Sequence, residues 1–345
     1  MTVLNAKRAA ERRAAAEAAR LPGFVGTFRH GSVNWLPEDA DLPPTSDVDV
    51  MVVLEGQNPP DRPGKFAYQG ALLEVSYLPS DRVRSAEQVL GDYHLAGSFR
   101  TPSVILDPSG RLASLQPAVS EGYARRSWVR TRCDHARRNS LACLRALVPT
   151  APFQDQVTAW LFAAGVTTHV LLVAGLRNPT VRLRYLAVRN LLAEYGRLEF
   201  HESLLATLGC VQMRQDDASR HLDALEGAFD AAKTAIRTPY PYAADLTDIA
   251  CPVAIGGSRD LIERGDHREA IFWMLATYSR CQSVLARDAP IEVQEEHARG
   301  YHRLLADLGV SSSADLQQRG EQVRLTLPGV WDMAEAIMEA NPAIE

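Results

Sequence analysis

The stretch HGSVNWLPEDADLPPTSDVDVMVV, residues 30–53, decides how the fold of this chain is interpreted. It joins a Gly-Ser pair, a Pro-rich acidic loop, two aspartates one residue apart and an apolar β-branched run. The run 48–54 is typical of a buried strand, and residues 24–30 predict a shorter strand before it. The segment GQNPPDRPGK, residues 56–65, predicts a loop because it holds three prolines and two glycines.

Two aspartates open the second strand. Side chains alternate along a strand, so Asp47 and Asp49 are expected on one face and the valines between and after them on the other. Residues 66–78 predict a third strand that forms a hairpin with residues 48–54. Glu74 lies in that third strand and reaches the same face if the register allows it. The pattern therefore predicts three converging carboxylates.

Converging carboxylates repel one another, so either one takes a proton or a cation lies between them. Oxygen-only ligands select a hard divalent ion such as Mg²⁺, and a pair of such ions is suited to in-line phosphoryl displacement. Gly31 and Ser32 add to this reading, because a glycine lets backbone N–H groups approach a polyphosphate and serine adds a hydroxyl donor. The constellation indicates nucleotide chemistry.

The rest of the chain is predicted to be mainly helical. The fold class expected is α+β, with a small mixed-sheet domain at residues 1–110 and a helical domain at residues 111–345. A further boundary inside the helical part is expected, if there is one, near residues 240–257. Helices are predicted at about 118–148, 153–175, 180–195, 200–208, 214–236 and 260–286.

The amino-acid composition indicates which classes of partner and which cellular location to expect. The 345 residues carry a formal net charge of -5, which disfavours a nucleic-acid backbone or an anionic membrane as partner. Five widely spaced cysteines without a C-x-x-C pair favour reduced thiols over a disulfide framework. The N-terminal segment lacks the apolar core of a signal peptide, and the chain lacks an uninterrupted apolar run of about 18 residues. A cytoplasmic location is expected.

Residues Gly31-Ser32, Asp47-x-Asp49 and Glu74 in this order resemble the nucleotidyltransferases of the DNA polymerase β superfamily. The likeness is greatest to antibiotic-modifying enzymes of the kanamycin nucleotidyltransferase type, and it covers about residues 20–235. The segments LLEVSYLPSD, ILDPSGRLASL and VLLVAGLRNPTVRLRYLAVRNLLAEYGRLEFHESLLATLG are similar in texture and order to that family.

The resemblance implies a function and a set of site residues. A nucleoside monophosphate, AMP in the first instance, would pass from a nucleoside triphosphate to a hydroxyl of a small molecule, with release of pyrophosphate. Asp47, Asp49 and Glu74 would be catalytic and would bind two Mg²⁺ ions. The nucleotide would contact Gly31, Ser32 and Ser46.

Two features depart from the family pattern. The loop VNWLPEDADLPPT, residues 33–45, is long and acidic and lacks Lys and Arg. It either lines an acceptor site for a cationic substrate or is a solvent loop. The charge of the triphosphate would then be offset by residues outside this loop. The helix that follows offers basic candidates: Arg125, Arg126, Arg130, Arg132, Arg137 and Arg138. A basic face exposed to solvent would explain these arginines equally well.

The second departure concerns the general base, a glutamate in the antibiotic-modifying relatives. The nearest acid on the corresponding helix is Asp134, beside His135, and it is the candidate base here. Two other functions remain open: nucleotidylation of a protein or an RNA end, and nucleotide binding without catalysis. The sequence leaves the oligomeric state open, a dimer included.

Overall fold

The computed structural model describes residues 1–56 and 63–345. These residues form two compact units. Unit 1 comprises Met1–His135, Leu176–Asn178 and Asn341–Glu345, and unit 2 comprises Ala136–Gly175 and Pro179–Ala340. The boundary predicted between residues 110 and 111 lies inside unit 1, and the segment 240–257 lies inside unit 2.

Unit 1 is built on a five-stranded sheet in the order β3-β4-β2-β1-β5. Its strands are β1 Phe24–His30, β2 Val48–Leu54, β3 Gly64–Tyr68, β4 Ala71–Pro79 and β5 Val104–Leu106. Its helices are α1 Val3–Glu17, α2 Ala86–Gly91, α3 Arg111–Gly122 and the first part of α4 Arg126–Arg145. Strands β2 and β4 run parallel and the other neighbours antiparallel. The predicted α+β class, with a mixed sheet, is confirmed.

Alternation along β2 divides its side chains between two cores. Val48, Val50 and Val52 belong to the cluster that also holds the alanine face of α1. On the other face, Met51 and Val53 pack with residues of α2 and α3. Burying Val48, Val50 and Val52 contributes roughly 1.5–3 kcal/mol each. These three valines therefore fix the opposite face as the one that Asp47 and Asp49 occupy.

The predicted hairpin between residues 48–54 and 66–78 is wrong. Strand β4 pairs in parallel with β2, and the segment predicted as one strand is itself a hairpin of β3 and β4. The turn is Gln69-Gly70, where both residues have positive φ (50° and 83°), as a tight two-residue hairpin loop requires. Lys65, predicted in the loop 56–65, lies in β3 instead, and residues 57–62 of that predicted loop lie outside the described residues.

The regular elements of unit 2, all of whose residues are described, are helices joined by turns. Besides the end of α4 it contains α5 Phe153–Ala174, α6 Arg184–Glu194, α7 Glu199–Leu208, α8 Gln215–Ala235, α9 Gly257–Glu263, α10 His267–Asp288, α11 Ile291–Asp307 and α12 Ser313–Ala340. The helix predicted at 118–148 is two helices, α3 and α4, separated at residues 123–125. The helix predicted at 260–286 is likewise interrupted, because Gly265 adopts φ 85° between α9 and α10.

Helix α5 is the central apolar helix of unit 2, where it packs against α6, α10 and α12. By length and composition it would suit a membrane span, but 89% of its apolar window is buried inside the structure. That burial is the environment of a core helix in a soluble domain. The five cysteines all lie in the described part of the chain and form no disulfide there, and Cys133, Cys210 and Cys281 are buried.

Candidate metal centre

Four polar side chains form a row across the sheet of unit 1. In the register of the strands, Lys65 on β3 lies opposite Glu74 on β4, and Glu74 lies opposite Asp49 on β2. Asp49 in turn lies opposite His30 on β1. Residues directly opposite each other in neighbouring strands project to the same face. The row therefore brings one ammonium, two carboxylates and one imidazole to the same side of the sheet.

Asp47 completes a carboxylate triad. It precedes Asp49 by two residues, so it shares that face. Asp47, Asp49 and Glu74 each offer a carboxylate oxygen, and these oxygens lie within 4.8 Å of one another. The predicted convergence is confirmed, although it arises from parallel pairing of β2 and β4 instead of a hairpin. An oxygen-only donor set of this size can hold a divalent cation.

The environment of Asp49 raises the pKa of its carboxyl. Its burial, followed by the charges of Asp47 and Glu74, raises the pKa of its carboxyl well above the ordinary value, while Lys65 acts in the opposite direction. A buried carboxylate among like charges needs a proton or a cation nearby to remain stable. The site therefore favours cation binding on electrostatic grounds.

Lys65 provides a cation at this place in the structure. Its ammonium lies 2.7 Å from Asp47 Oδ2 and donates a hydrogen bond to Glu74 Oε2. The Lys65 side chain is only 7% exposed. An ammonium held between two carboxylates stands in for a metal ion, so the donor set fits a hard cation. The sequence did not predict this role for Lys65, because the prolines and glycines before it indicate a loop where β3 begins.

The Gly-Ser turn lies against the triad. Gly31 has φ 69° and ψ -155°, and a Cβ placed on it would lie 2.0 Å from Asp49 Oδ2. Only glycine combines this backbone conformation with so close an approach to a carboxylate. Ser32 begins a short 3-10 turn, Ser32–Asn34, and is half-buried. Ser46, also half-buried, donates its backbone N–H to Pro43 in the turn before Asp47.

His30 is a second residue that sequence reasoning misses. It precedes Gly31, and its imidazole Nδ1 lies 2.7 Å from Ser98 Oγ. Burial lowers the pKa of His30 to about 4, with the charge of Asp92 acting in the opposite direction. The imidazole is therefore neutral at physiological pH. A histidine at the end of an apolar strand, one residue before a glycine, was the available signal.

Helix α4 does not present the basic residues as one solvated face. Arg132 is 1% exposed, and its guanidinium donates to the carbonyls of Leu90 (3.1 Å) and Tyr123 (2.5 Å). It also lies 4.4 Å from the centre of the Tyr123 ring. Arg132 is thus part of the internal packing of unit 1, whereas Arg130 is exposed.

Asp134, the candidate base, lies on α4 and is half-buried. It does not belong to the carboxylate group formed by Asp47, Asp49 and Glu74 in the described part of the chain. Its neighbour His135 lies 3.8 Å from Asp92 and stacks edge-on with Tyr93. The role of Asp134 stays a prediction.

Part of the acidic loop is engaged in packing against α1. Glu38 pairs with Lys7 at 3.3 Å, and Asp41 lies 3.8 Å from the N-terminal ammonium. The backbone carbonyls of Glu38 and Ala40 accept hydrogen bonds from the first turn of α1. These contacts anchor the start of the helix, where acidic groups are favourable. Asp39 is exposed.

The chain matches no protein-family model and shows no significant similarity to any curated protein.

Proposed function

We propose that the protein is a magnesium-dependent nucleotidyltransferase. In the proposed reaction, a hydroxyl oxygen of a small molecule attacks the α-phosphorus of a nucleoside triphosphate. The new O–P bond forms as the bond to pyrophosphate breaks, and the hydroxyl proton passes to a base. The observation that carries the proposal is the triad: the parallel register brings Asp49 opposite Glu74, and Asp47 adds the third hard oxygen donor.

Each part of the site has a proposed task. Asp47, Asp49 and Glu74 would hold Mg²⁺, which when bound polarises the phosphate oxygens and offsets their charge. Gly31 brings the backbone close to the triad without a side chain, and Ser32 adds a hydroxyl donor beside it. These two residues, with Ser46, are proposed to contact the nucleotide. Asp134 is the proposed base.

The acceptor is proposed to be a small hydroxylated molecule, an antibiotic or a biosynthetic intermediate, with AMP as the transferred group. The overall net charge of -5 supports a neutral or cationic acceptor over a nucleic-acid end. The lack of disulfides among the five described cysteines supports a cytoplasmic setting for this activity. The order of Gly-Ser, Asp-x-Asp and a third acid on a later strand resembles that of the nucleotidyltransferases, which supports the same class of reaction.

The test is a pyrophosphate-release assay with each of the four nucleoside triphosphates, Mg²⁺ and a panel of hydroxylated acceptors. Asp47→Asn and Asp49→Asn are expected to lower turnover by at least about a hundredfold, since each removes a ligand charge from the metal. Asp81→Asn is the control, because it removes an exposed acid of unit 1 that lies outside the acidic loop. Full activity in the two triad variants would contradict the assignment.

A second outcome distinguishes catalysis from simple binding. Calorimetric titration with Mg-ATP measures nucleotide binding independently of turnover. Binding together with pyrophosphate release supports the enzyme. Binding without release for every acceptor would instead make the protein a nucleotide-binding module.

A further inference from the structure

Lys65 is an unusual residue for this chain. The sequence contains 37 lysines and arginines, but only Lys7, Lys65 and Lys233 are lysines. One of the three has its ammonium inside the carboxylate triad, on the edge strand β3. We propose that Lys65 is an exchangeable counter-cation, which a divalent ion displaces from Asp47 and Glu74 when it binds. This inference rests on the proposed metal site.

The geometry requires an exchange. The ammonium contacts two of the three carboxylates, at 2.7 Å from Asp47 Oδ2 and within hydrogen-bond distance of Glu74 Oε2. The candidate ligand oxygens of the triad lie within 4.8 Å of one another, so a metal ion bound by all three would occupy the same small space. Two cations in that space repel each other strongly, particularly because the site is shielded from water. The ammonium must therefore withdraw as the metal enters.

Lysine suits this role better than the arginine that the chain uses elsewhere. An ammonium is a compact point charge on a flexible four-carbon stem, whereas a guanidinium is a wide planar fork. The compact charge fits among three oxygens, and the flexible stem lets it leave without movement of β3. The base of the side chain remains fixed by the pairing of Lys65 with Glu74 in the hairpin.

Lys65 also has a role in the metal-free protein. Asp47, Asp49 and Glu74 are partly shielded from water, and their mutual repulsion acts against the fold. Lys65 offsets one of these charges, which keeps the ligands together before the metal arrives. The same charge weakens metal binding, because the metal must replace an ion pair that already exists. Lys65 is thus a positioning residue that sets metal affinity.

The first test measures Mn²⁺ binding to metal-free full-length protein by the electron paramagnetic resonance signal of free Mn²⁺. Lys65→Met removes the charge but keeps an unbranched side chain, and we expect it to bind Mn²⁺ at least about tenfold more tightly. Lys65→Arg keeps the charge and is expected not to bind more tightly than wild type. Lys7→Met is the matched control, since it removes a lysine of α1 that pairs with Glu38, away from the triad. Unchanged or weaker binding by a folded Lys65→Met protein would overturn the inference.

A second measurement uses the wild-type protein, so it does not depend on a variant that folds. Trace acetylation followed by mass spectrometry reports the reactivity of each of the three lysines. Saturating Mn²⁺ is expected to raise the reactivity of Lys65 several-fold while Lys7 and Lys233 stay constant. Bound Mn²⁺ with no change at Lys65 would refute the exchange and leave the metal site intact. If neither the wild type nor any variant binds Mn²⁺, the metal site fails, and the proposed function and this inference fail with it.

Discussion

Asp49 and Glu74 lie directly opposite each other on the parallel strands β2 and β4. Like charges in this arrangement destabilise a sheet. The pair nevertheless occurs where the apolar residues of β2 and β4 fix the register, and Lys65 and Asp47 complete a charged cluster around it. A destabilising contact held in place by the surrounding core is the arrangement expected of a functional site.

Asp49→Asn should separate stability from function. The pKa of Asp49 is raised, so its ionised form acts against the folded state at neutral pH, and removal of the charge should stabilise metal-free protein by on the order of 1 kcal/mol. The same change should abolish any stabilisation by Mg²⁺. Thermal unfolding in EDTA and in Mg²⁺ measures both effects. A lower unfolding temperature in EDTA for Asp49→Asn would contradict this prediction.

Gly31→Ala should damage the site far more than an alanine at another glycine with positive φ. The added Cβ would lie 2.0 Å from Asp49 Oδ2, so the carboxylate must move away. We expect loss of divalent-ion binding and a destabilisation of about 3 kcal/mol or more from backbone strain and overpacking. Gly110→Ala is the control, because Gly110 has φ 70° but nothing within 4 Å of its Cβ position. It should cost about 1 kcal/mol and leave metal binding unchanged. Equal effects of the two substitutions would exclude a specific contact with Asp49.

His30 should make unit 1 sensitive to acid. Its pKa is about 4 in the folded protein and 6.5 when exposed, so the unfolded chain takes up the proton first as pH falls. The stability contributed by the buried neutral ring is fully present above pH 6.5 and is lost between pH 6.5 and pH 4, by up to about 3 kcal/mol. His30→Gln should lose less stability over this range than wild type. The exposed His94 gives the control, His94→Gln, which should follow wild type. Urea unfolding at several pH values measures the difference, and parallel curves for wild type and His30→Gln would count against it.

Arg132 should be a structural residue and not a ligand for phosphate. Arg132→Met leaves the carbonyls of Leu90 and Tyr123 without their buried donor, and we expect a loss of about 2–4 kcal/mol. Arg130→Met, which changes an exposed residue of the same helix, should cost less than about 0.5 kcal/mol. Urea unfolding compares the two. Normal stability of Arg132→Met combined with weakened nucleotide binding would reverse the assignment.

The sequence predicts the faces of the strands better than their pairing. Alternation in residues 47–50 correctly places Asp47 and Asp49 on the face opposite Val48 and Val50, because successive side chains along a strand point to opposite faces. Pairing depends on the turn that follows, and Gln69-Gly70 divides the predicted third strand into the hairpin of β3 and β4. An isolated glycine within a strand pattern was the signal for that turn.

Charged residues that act inside the fold were harder to predict. Lys65 lies next to loop signals, and only the register with Glu74 shows that its ammonium belongs to the triad. Arg132 occurs among five other arginines, and helical periodicity does not distinguish a buried guanidinium from an exposed one. Both positions depend on long-range packing, which a local pattern does not contain.

The most direct test of the central claim is a crystal structure with Mn²⁺ and a non-hydrolysable nucleoside triphosphate analogue, with anomalous scattering used to locate the metal. We predict anomalous peaks among the oxygens of Asp47, Asp49 and Glu74, with phosphate oxygens of the analogue on the same ions and the Lys65 ammonium displaced. A structure in which the nucleotide binds elsewhere and Lys65 still pairs with Asp47 and Glu74 would contradict the account.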